Sequence, residues 1–339
     1  MKAVVVTGDC RIVIKELPVP EITEYEVLVE NLYGSICTGT DLQIIDGTLR
    51  GIQYPAMLGH ESVGRVIRIG EKVKNYALGD LVTSAGAKAD VNRGLYSHWG
   101  GFAEYGVATD YRVLLEDGLH EQELMPYKCN QKIPADLPPL EATMIITWRE
   151  TLSYISRVGV ASGDNIMLLG SGSVGLAFAN HIVNLGAQCI VIGNPCMKGY
   201  FSDIGVHHFY DYKHEDVVKQ IQSEHHSSFN CLIDAVGSAE YTQKLLALLP
   251  GRGKVGVYGL KQVEDYKISP LSHKGSITFC NYGYDPEEVH EQVVASMLCH
   301  QLCASNWYTP QSVFVMDEIA EAVEQLRQRK IMKAVIKIK

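Results

Sequence analysis

A cysteine, a histidine and a glutamate with metal-ligand chemistry stand in the first fifth of the sequence. Cys37 lies in Ser35-Ile36-Cys37-Thr38-Gly39-Thr40-Asp41, and Leu58-Gly59-His60-Glu61 follows about twenty residues later. Thiolate and imidazole are good zinc ligands, and a catalytic zinc needs three protein ligands and an open position. Two such residues across a β-rich stretch do not make a site by themselves. A lone cysteine is most often a small buried hydrophobe, and a lone histidine is often a satisfied polar group.

The second stretch with chemistry in it is Gly170-Ser171-Gly172-Ser173-Val174-Gly175. It follows a short apolar run, Ile166–Leu169, and precedes a helical pattern over Leu176–Leu185 that ends at Gly186. Cys189–Ile192 is apolar again. Strand, glycine turn, helix and strand is the order that a dinucleotide-binding unit requires. Gly170 permits the tight turn, Gly172 leaves room for a pyrophosphate, and Gly175 lets the helix approach the sheet. Ser173 and Val174 are cofactor-binding candidates within the motif, and the N-terminus of the helix that follows offers unpaired N–H groups to the phosphates.

The elements around these motifs divide into two kinds. Before about residue 150 the chain reads as many short strands: Lys2–Val6, Arg11–Lys15, Glu26–Leu32, Gly64–Ile69, Leu81–Thr83 and a strand after Gly100-Gly101. Asp41–Ile45 reads as a short helix, 116–130 has little pattern, and Leu140–Val158 reads as one long helix. Beyond the glycine turn, strands expected at Val206–Tyr210, Cys231–Val236, Lys254–Tyr258 and Ile277–Cys280 alternate with helices at Val217–Ser223 and Tyr241–Leu249. That alternation predicts an α/β unit with a doubly wound parallel sheet. Helices at Pro286–Leu302 and Asp317–Arg329 and a strand at Ala334–Ile338 close the chain.

With 339 residues the chain can build two domains with real cores. The formal net charge of −9 argues against a general nucleic-acid binder. No apolar run reaches the length of a membrane span, and the N-terminus lacks the pattern of a signal peptide. Nine scattered cysteines form no disulfide framework, and a cytoplasmic location is the simpler expectation.

Taken with Gly59-His60-Glu61, Gly100–Tyr105, Gly170–Gly175 and Gly251–Gly259, in this order and spacing, the sequence resembles the zinc-dependent medium-chain alcohol and polyol dehydrogenases over almost its entire length. The resemblance implies a GroES-like, mostly β catalytic domain in two parts, 1–155 and 291–339, with a Rossmann dinucleotide-binding domain, 156–290, inserted between them. It makes Cys37 and His60 the first two zinc ligands. Relatives usually have cysteine, one residue, serine or threonine, then aspartate; here an extra residue intervenes. Either Thr38 or Thr40 could then be the hydroxyl relay, and the aspartate favours Thr40. Glu61 is an outer-shell group in some relatives and a ligand in others. The third ligand position falls on Ile146, which cannot bind zinc; Glu150, one helical turn further along the same face, is expected to take over that metal-site role, with Glu61 as direct ligand the alternative.

The region 81–110, where many relatives hold a structural zinc on four cysteines, contains none. One catalytic zinc and no structural zinc are therefore expected, with His98 and Trp99 at the mouth of the cleft. Tyr33, Trp148, Cys280, Tyr282 and Trp307 are open between pocket wall and core. The acidic residue that normally receives the ribose of NAD is replaced by Gly193, followed by Asn194 and then Lys198, which favours NADP over NAD. The expected activity is hydride transfer between NAD(P) and a secondary alcohol, polyol or sugar and its ketone. The rivals are a zinc-free enone or quinone reductase and a non-catalytic dinucleotide-binding subunit. The expected assembly is a homodimer or homotetramer, with Ile277–Cys280 as the pairing edge.

Overall fold

The computed structural model describes residues 1–225, 229–259 and 266–339, and divides the chain into two compact units. One comprises Met1–Arg149 with Pro286–Lys339; the other is Glu150–Asp285. The division falls inside the helix Met144–Val158, about five residues before each boundary expected from the sequence.

The first unit is mostly β. A seven-stranded sheet runs Val313–Val315, Val335–Lys337, Glu26–Ser35, Glu61–Ile69, Leu81–Thr83 and Lys132–Ile133, with Tyr105–Thr109 also paired to Glu26–Ser35. A four-stranded sheet joins Ile12–Glu16, Lys2–Val6, Ala56–Met57 and Tyr96–Ser97. The strand Glu26–Ser35 is the spine. It alternates side chains between two faces, burying Val27 and Val29 against Val66, Val82 and Ala108. At its far end Ser35 pairs with Glu61 on one side and with Val335 on the other. The last strand of the chain thus returns to the sheet begun near the N-terminus. A second cluster buries Val4, Ile36, Ile44, Leu58, Phe102 and Ile336 among residues of the helix Ile319–Arg327.

The second unit is a six-stranded, all-parallel sheet. Its spatial order is His208–Asp211, Gln188–Gly193, Asn165–Leu169, Cys231–Asp234, Arg252–Val257 and Ser276–Cys280. The chain builds outward from Asn165–Leu169 in one direction, then returns and builds outward in the other. The strand order therefore reverses between Asn165–Leu169 and Cys231–Asp234, and the crevice beyond the carboxyl ends at that point is where such sheets bind ligands. Helices Ser173–Asn184, Val217–Glu224 and Ala239–Leu245 connect the strands. Met167, Leu169, Ile190, Ile192, Leu232 and Val255 form the core beneath them.

Some elements differ from their expected form. The region 116–130 carries a short helix at Glu121–Leu124, after another at Tyr111–Glu116. The long helix from Leu140 is interrupted at Thr143, whose hydroxyl donates back to the Leu140 carbonyl at 2.8 Å. The helix after the glycine turn begins at Ser173, three residues earlier than its apolar pattern, because Gly172 is already its N-cap. Among the described residues no helix is long and apolar enough to cross a membrane.

Candidate active site

The first unit brings Cys37, His60 and Glu61 together, with all potential ligand atoms within 4.8 Å of one another and all three residues buried. Backbone pairing does this. Cys37 follows the end of the strand Glu26–Ser35, and Glu61 begins the strand that pairs with it. Gly59 makes the turn into that strand at φ +99°, and a Cβ there would lie 2.7 Å from the Phe102 amide. The two glycine motifs are therefore packed backbone to backbone, with Gly101 and Phe102 donating to the Gly59 and Leu58 carbonyls at 2.7 and 3.0 Å.

The extra residue after Cys37 is absorbed by a closed loop. The Asp41 carboxylate accepts from the Cys37 amide at 2.8 Å, and the Asp41 amide donates to the Cys37 carbonyl at 3.0 Å. Asp41 is fully buried, and burial raises its pKa, opposed by His60. Thr40 is the N-cap of the helix Asp41–Ile45, but its hydroxyl caps no N–H of that helix. Thr38, Gly39 and Thr40 are all half-buried.

Glu61 is held from every side. Its Oε1 accepts from the Thr147 hydroxyl at 2.7 Å, and its Oε2 accepts from Ser35 and lies 2.5 Å from the Lys333 ammonium. Lys333 also donates to Thr147 at 3.3 Å. Lys333 and Glu61 are 1% and 2% exposed, so this is an ion pair outside water. Burial alone would raise the Glu61 pKa; the Lys333 charge, then that of His60, outweighs it and holds the carboxyl below its ordinary value. Burial likewise opposes a charged His60, yet Cys37, Asp41 and Glu61 push the imidazole up to about 10. Three acidic groups around one imidazole make a pocket that favours positive charge. His60 Nδ1 and Asp41 Oδ1, 3.9 Å apart, are both buried without a hydrogen-bond partner. A thiolate, an imidazole and a carboxylate, with these polar atoms unsatisfied, fit a zinc ion.

Glu150 is not in that group. It belongs to the second unit, where its carboxylate accepts from the Tyr258 hydroxyl at 3.3 Å. Ile146, at the expected ligand position, is buried, and the next residue, Thr147, is the one that reaches Glu61. Trp99 stacks obliquely on His60 with ring centroids 5.1 Å apart and remains 47% exposed. His98 turns instead to Gln53, whose amide donates to its Nε2 at 3.2 Å. Trp148 and Trp307 are fully buried, packed edge to face as core. Tyr33 is a half-buried strand residue, Cys280 is buried, and Tyr282 is exposed. Lys333 and Thr147 were not singled out from the sequence. Their only signal is position: Lys333 begins the last apolar stretch, and Thr147 adjoins the vacant ligand position.

In the second unit, Gly170–Gly175 lies at the carboxyl end of Asn165–Leu169, on the crevice side. A Cβ on Gly175 would meet the Gly170 carbonyl at 2.3 Å, while Gly172 faces open space. Ser173 and Val174 form the first helical turn. Gly193 ends the neighbouring strand, and a Cβ there would lie 2.4 Å from that of Ser171. The Asn194 amide donates to the Ser171 hydroxyl at 2.8 Å, and the Asn194 side chain caps Cys196. Lys198 is exposed at the start of the helix Lys198–Asp203. One carboxylate does stand beside this loop. Asp211, on the next strand, pairs in register with Gly193 and accepts from the Lys213 amide at 2.9 Å.

Two families match the chain: the alcohol dehydrogenase GroES-like domain over residues 23–121 and the zinc-binding dehydrogenases over residues 204–332. A zinc-type alcohol dehydrogenase-like protein of Haemophilus influenzae is 28% identical over 66% of this chain and 65% of its own length. Sorbitol dehydrogenase of Bacillus subtilis is 25% identical over 79% of this chain and 78% of its own. Among solved structures, benzyl alcohol dehydrogenase from Acinetobacter calcoaceticus superposes with a TM-score of 0.83 at 19% identity, covering 100% of this chain and 99% of that one. The 2R,3R-butanediol dehydrogenase from Bacillus subtilis gives 0.80 at 19% identity, covering 99% of each.

Proposed function

From the premise that the chain belongs to the zinc-type medium-chain alcohol and polyol dehydrogenase family, a family of zinc-containing, NAD(P)-dependent oxidoreductases, we propose that it interconverts a secondary alcohol, polyol or sugar with the corresponding ketone. The observation that carries this reading is the buried cluster of Cys37, His60 and Glu61, with Thr40 half-buried in the loop that follows Cys37.

Cys37 and His60 would hold the zinc, with Glu61 beside them. When bound, the ion supplies Lewis-acid polarisation of the substrate oxygen. Thr40, positioned by the Cys37–Asp41 loop, takes the hydroxyl proton of an alcohol substrate and passes it on toward solvent. Asp41 fixes that loop by holding the Cys37 amide. Lys333, Ser35 and Thr147 fix Glu61 in its ionised form. In the second unit the Gly170–Gly175 turn and the N–H groups of Ser173–Gly175 would hold the pyrophosphate.

NADP is the preferred cofactor in this reading. Neither Gly193 nor Asn194 presents a carboxylate to repel a 2′-phosphate, and Lys198 brings positive charge within four residues. A second reading, NAD, is favoured by Asp211 beside Gly193. Dissociation constants decide between them: NADP should bind more tightly, and Lys198→Ala should weaken NADP more than NAD. An NAD preference of tenfold, ~1.4 kcal/mol, would assign the ribose to Asp211 instead. The assembly in this reading is a homodimer or homotetramer paired through Ser276–Cys280, an edge strand whose Phe279 is 50% exposed.

The overall reading is tested by a panel of polyols, sugars and secondary alcohols on zinc-loaded protein with both cofactors. Turnover that needs zinc and is lost in Cys37→Ser supports it. Enone or quinone reduction that survives complete zinc removal would replace it with the zinc-free alternative.

A further inference from the structure

A second cluster of metal-ligating side chains lies in the second unit, outside the residues assigned above. His208, Glu224 and His225 place one potential ligand atom each within 4.8 Å of the others. His208 opens the outer strand His208–Asp211, and Glu224 and His225 are the last residue and the C-cap of the helix Val217–Glu224. The two imidazoles meet nearly edge to face with centroids 4.6 Å apart. Tyr210 draws the other two together: its hydroxyl is 2.7 Å from Glu224 Oε2 and 2.8 Å from His225 Nε2.

We propose that His208, Glu224 and His225 form a separate binding site for a borderline divalent transition ion such as nickel, copper or zinc. Two imidazoles and one carboxylate suit these ions better than magnesium or calcium, which prefer all-oxygen shells. Donors arranged tetrahedrally around such an ion lie ~3.4 Å apart when each is ~2.1 Å from the metal. His208 and Glu224 are exposed and His225 is half-buried, so the remaining closure is a matter of side-chain rotation. The end of a helix is a favourable place for a cation, because its last carbonyls carry partial negative charge. Tyr210 is already placed to orient the carboxylate, as outer-shell donors do in metal sites.

The position decides what the ion does. Asp211, at the carboxyl end of the outer strand, is paired with Gly193 beside the nucleotide loop. His208 is at the opposite end, ~10 Å away along the strand. An ion there staples the outer strand of the sheet to the end of the helix that follows it. It stabilises the nucleotide-binding unit and leaves hydride transfer untouched. The proposal does not depend on the substrate or cofactor assigned above.

Calorimetric titration of zinc-loaded protein with Ni²⁺ tests it. The wild type should take up one nickel per chain without releasing zinc, with a rise in unfolding temperature. His208→Gln should weaken this event by at least about tenfold, and the pair His208→Gln and His225→Gln should abolish both the event and the thermal shift. His214→Gln, which lies on the loop between the same strand and helix, should leave both intact. His208 is exposed, so its single variant keeps the test valid if the double variant does not fold. The proposal is overturned if no nickel binds beyond the zinc, if nickel is taken up only as zinc is released, or if His208→Gln binds as tightly as the wild type.

Discussion

Replacing Lys333 by methionine removes, among the described residues, the one ammonium against a carboxylate that is 2% exposed. Methionine is one heavy atom shorter than lysine and leaves the packing close to its original volume. What changes is that Glu61 loses a partner at 2.5 Å, and Thr147 loses a donor at 3.3 Å. Removing one member of a buried ion pair typically costs ~3–5 kcal/mol. Ser35 and Thr147 still donate to the two oxygens, so the expected cost is at the lower end, ~3 kcal/mol. The burial of Glu61 is then no longer outweighed by the Lys333 charge, its pKa rises, and the deficit shrinks as pH is lowered. Adding Glu61→Gln to the same protein removes the orphaned charge, and the double variant should regain at least ~2 kcal/mol over Lys333→Met alone. The assay is urea unfolding of zinc-loaded protein followed by tryptophan fluorescence. All three tryptophans, Trp99, Trp148 and Trp307, lie in the first unit, so the signal follows the unit that contains the pair. If both single variants cost less than ~1 kcal/mol and their effects add within ~0.5 kcal/mol, the pair does not hold the site and the reasoning fails.

His290 is 2% exposed, with Nε2 2.9 Å from the Lys132 carbonyl; burial, then the charge of Arg149, lowers its pKa from 6.5 to about 4. The unfolded chain therefore binds more protons between these values, and stability falls as pH drops through them; from pH 7 to pH 5 the loss should be about 2 kcal/mol. Urea midpoints of wild type and His290→Asn at both pH values check this, and an equal loss in the variant would refute it. Gly193→Ala places a methyl against Ser171, so it should destabilise the second unit by ~1–3 kcal/mol and weaken both nucleotides alike. Asn194→Asp should instead weaken NADP selectively, as read by fluorescence titration. Glu150→Gln should retain full zinc by elemental analysis, because its carboxylate is engaged by Tyr258; loss of zinc in that variant would make Glu150 a ligand.

The parts of this molecule that were legible in the sequence are those with a local cause. The strand, glycine turn and helix around Gly170 follow from apolar runs and from the lack of side chains at three positions, and the structure adds only that the helix begins at Ser173. Cys37, His60 and Glu61 stand next to elements whose alternation was plain. The extra residue at Thr38-Gly39 left open which threonine serves as relay, and the loop that absorbs it is closed four residues on, where Asp41 accepts from the Cys37 amide. Long-range pairing was less legible. That Val335 lies beside Ser35 depends on a chain reversal of 300 residues, and only family resemblance suggested it. Lys333 and Thr147 followed from no motif, because their roles exist only once that pairing has placed them on Glu61. The carboxylate of Asp211 was not singled out for the same reason, because only the register of the neighbouring strand brings it beside Gly193.

The vacant ligand position at Ile146 and the charge clamp on Glu61 can be understood as one arrangement. Where a side chain with a donor atom would complete the metal shell from the helix Met144–Val158, this chain has a buried isoleucine. The helix still contributes to the site through the next residue, Thr147, which donates to Glu61. Glu61, adjacent to His60 in sequence and 3.9 Å from its Nε2, is the carboxylate grouped with the cysteine and histidine. A bound zinc would compete with Lys333 for the charge of this one group, so a weaker hold by Lys333 should let Glu61 reach the metal. Arginine at position 333 keeps the charge but spreads it over a planar fork that cannot occupy the same point. Lys333→Arg should therefore retain most of the stability lost in Lys333→Met and yet alter zinc affinity. Parallel changes in stability and zinc affinity across the arginine and methionine variants would mean that Lys333 supports the fold alone and exerts no control over Glu61.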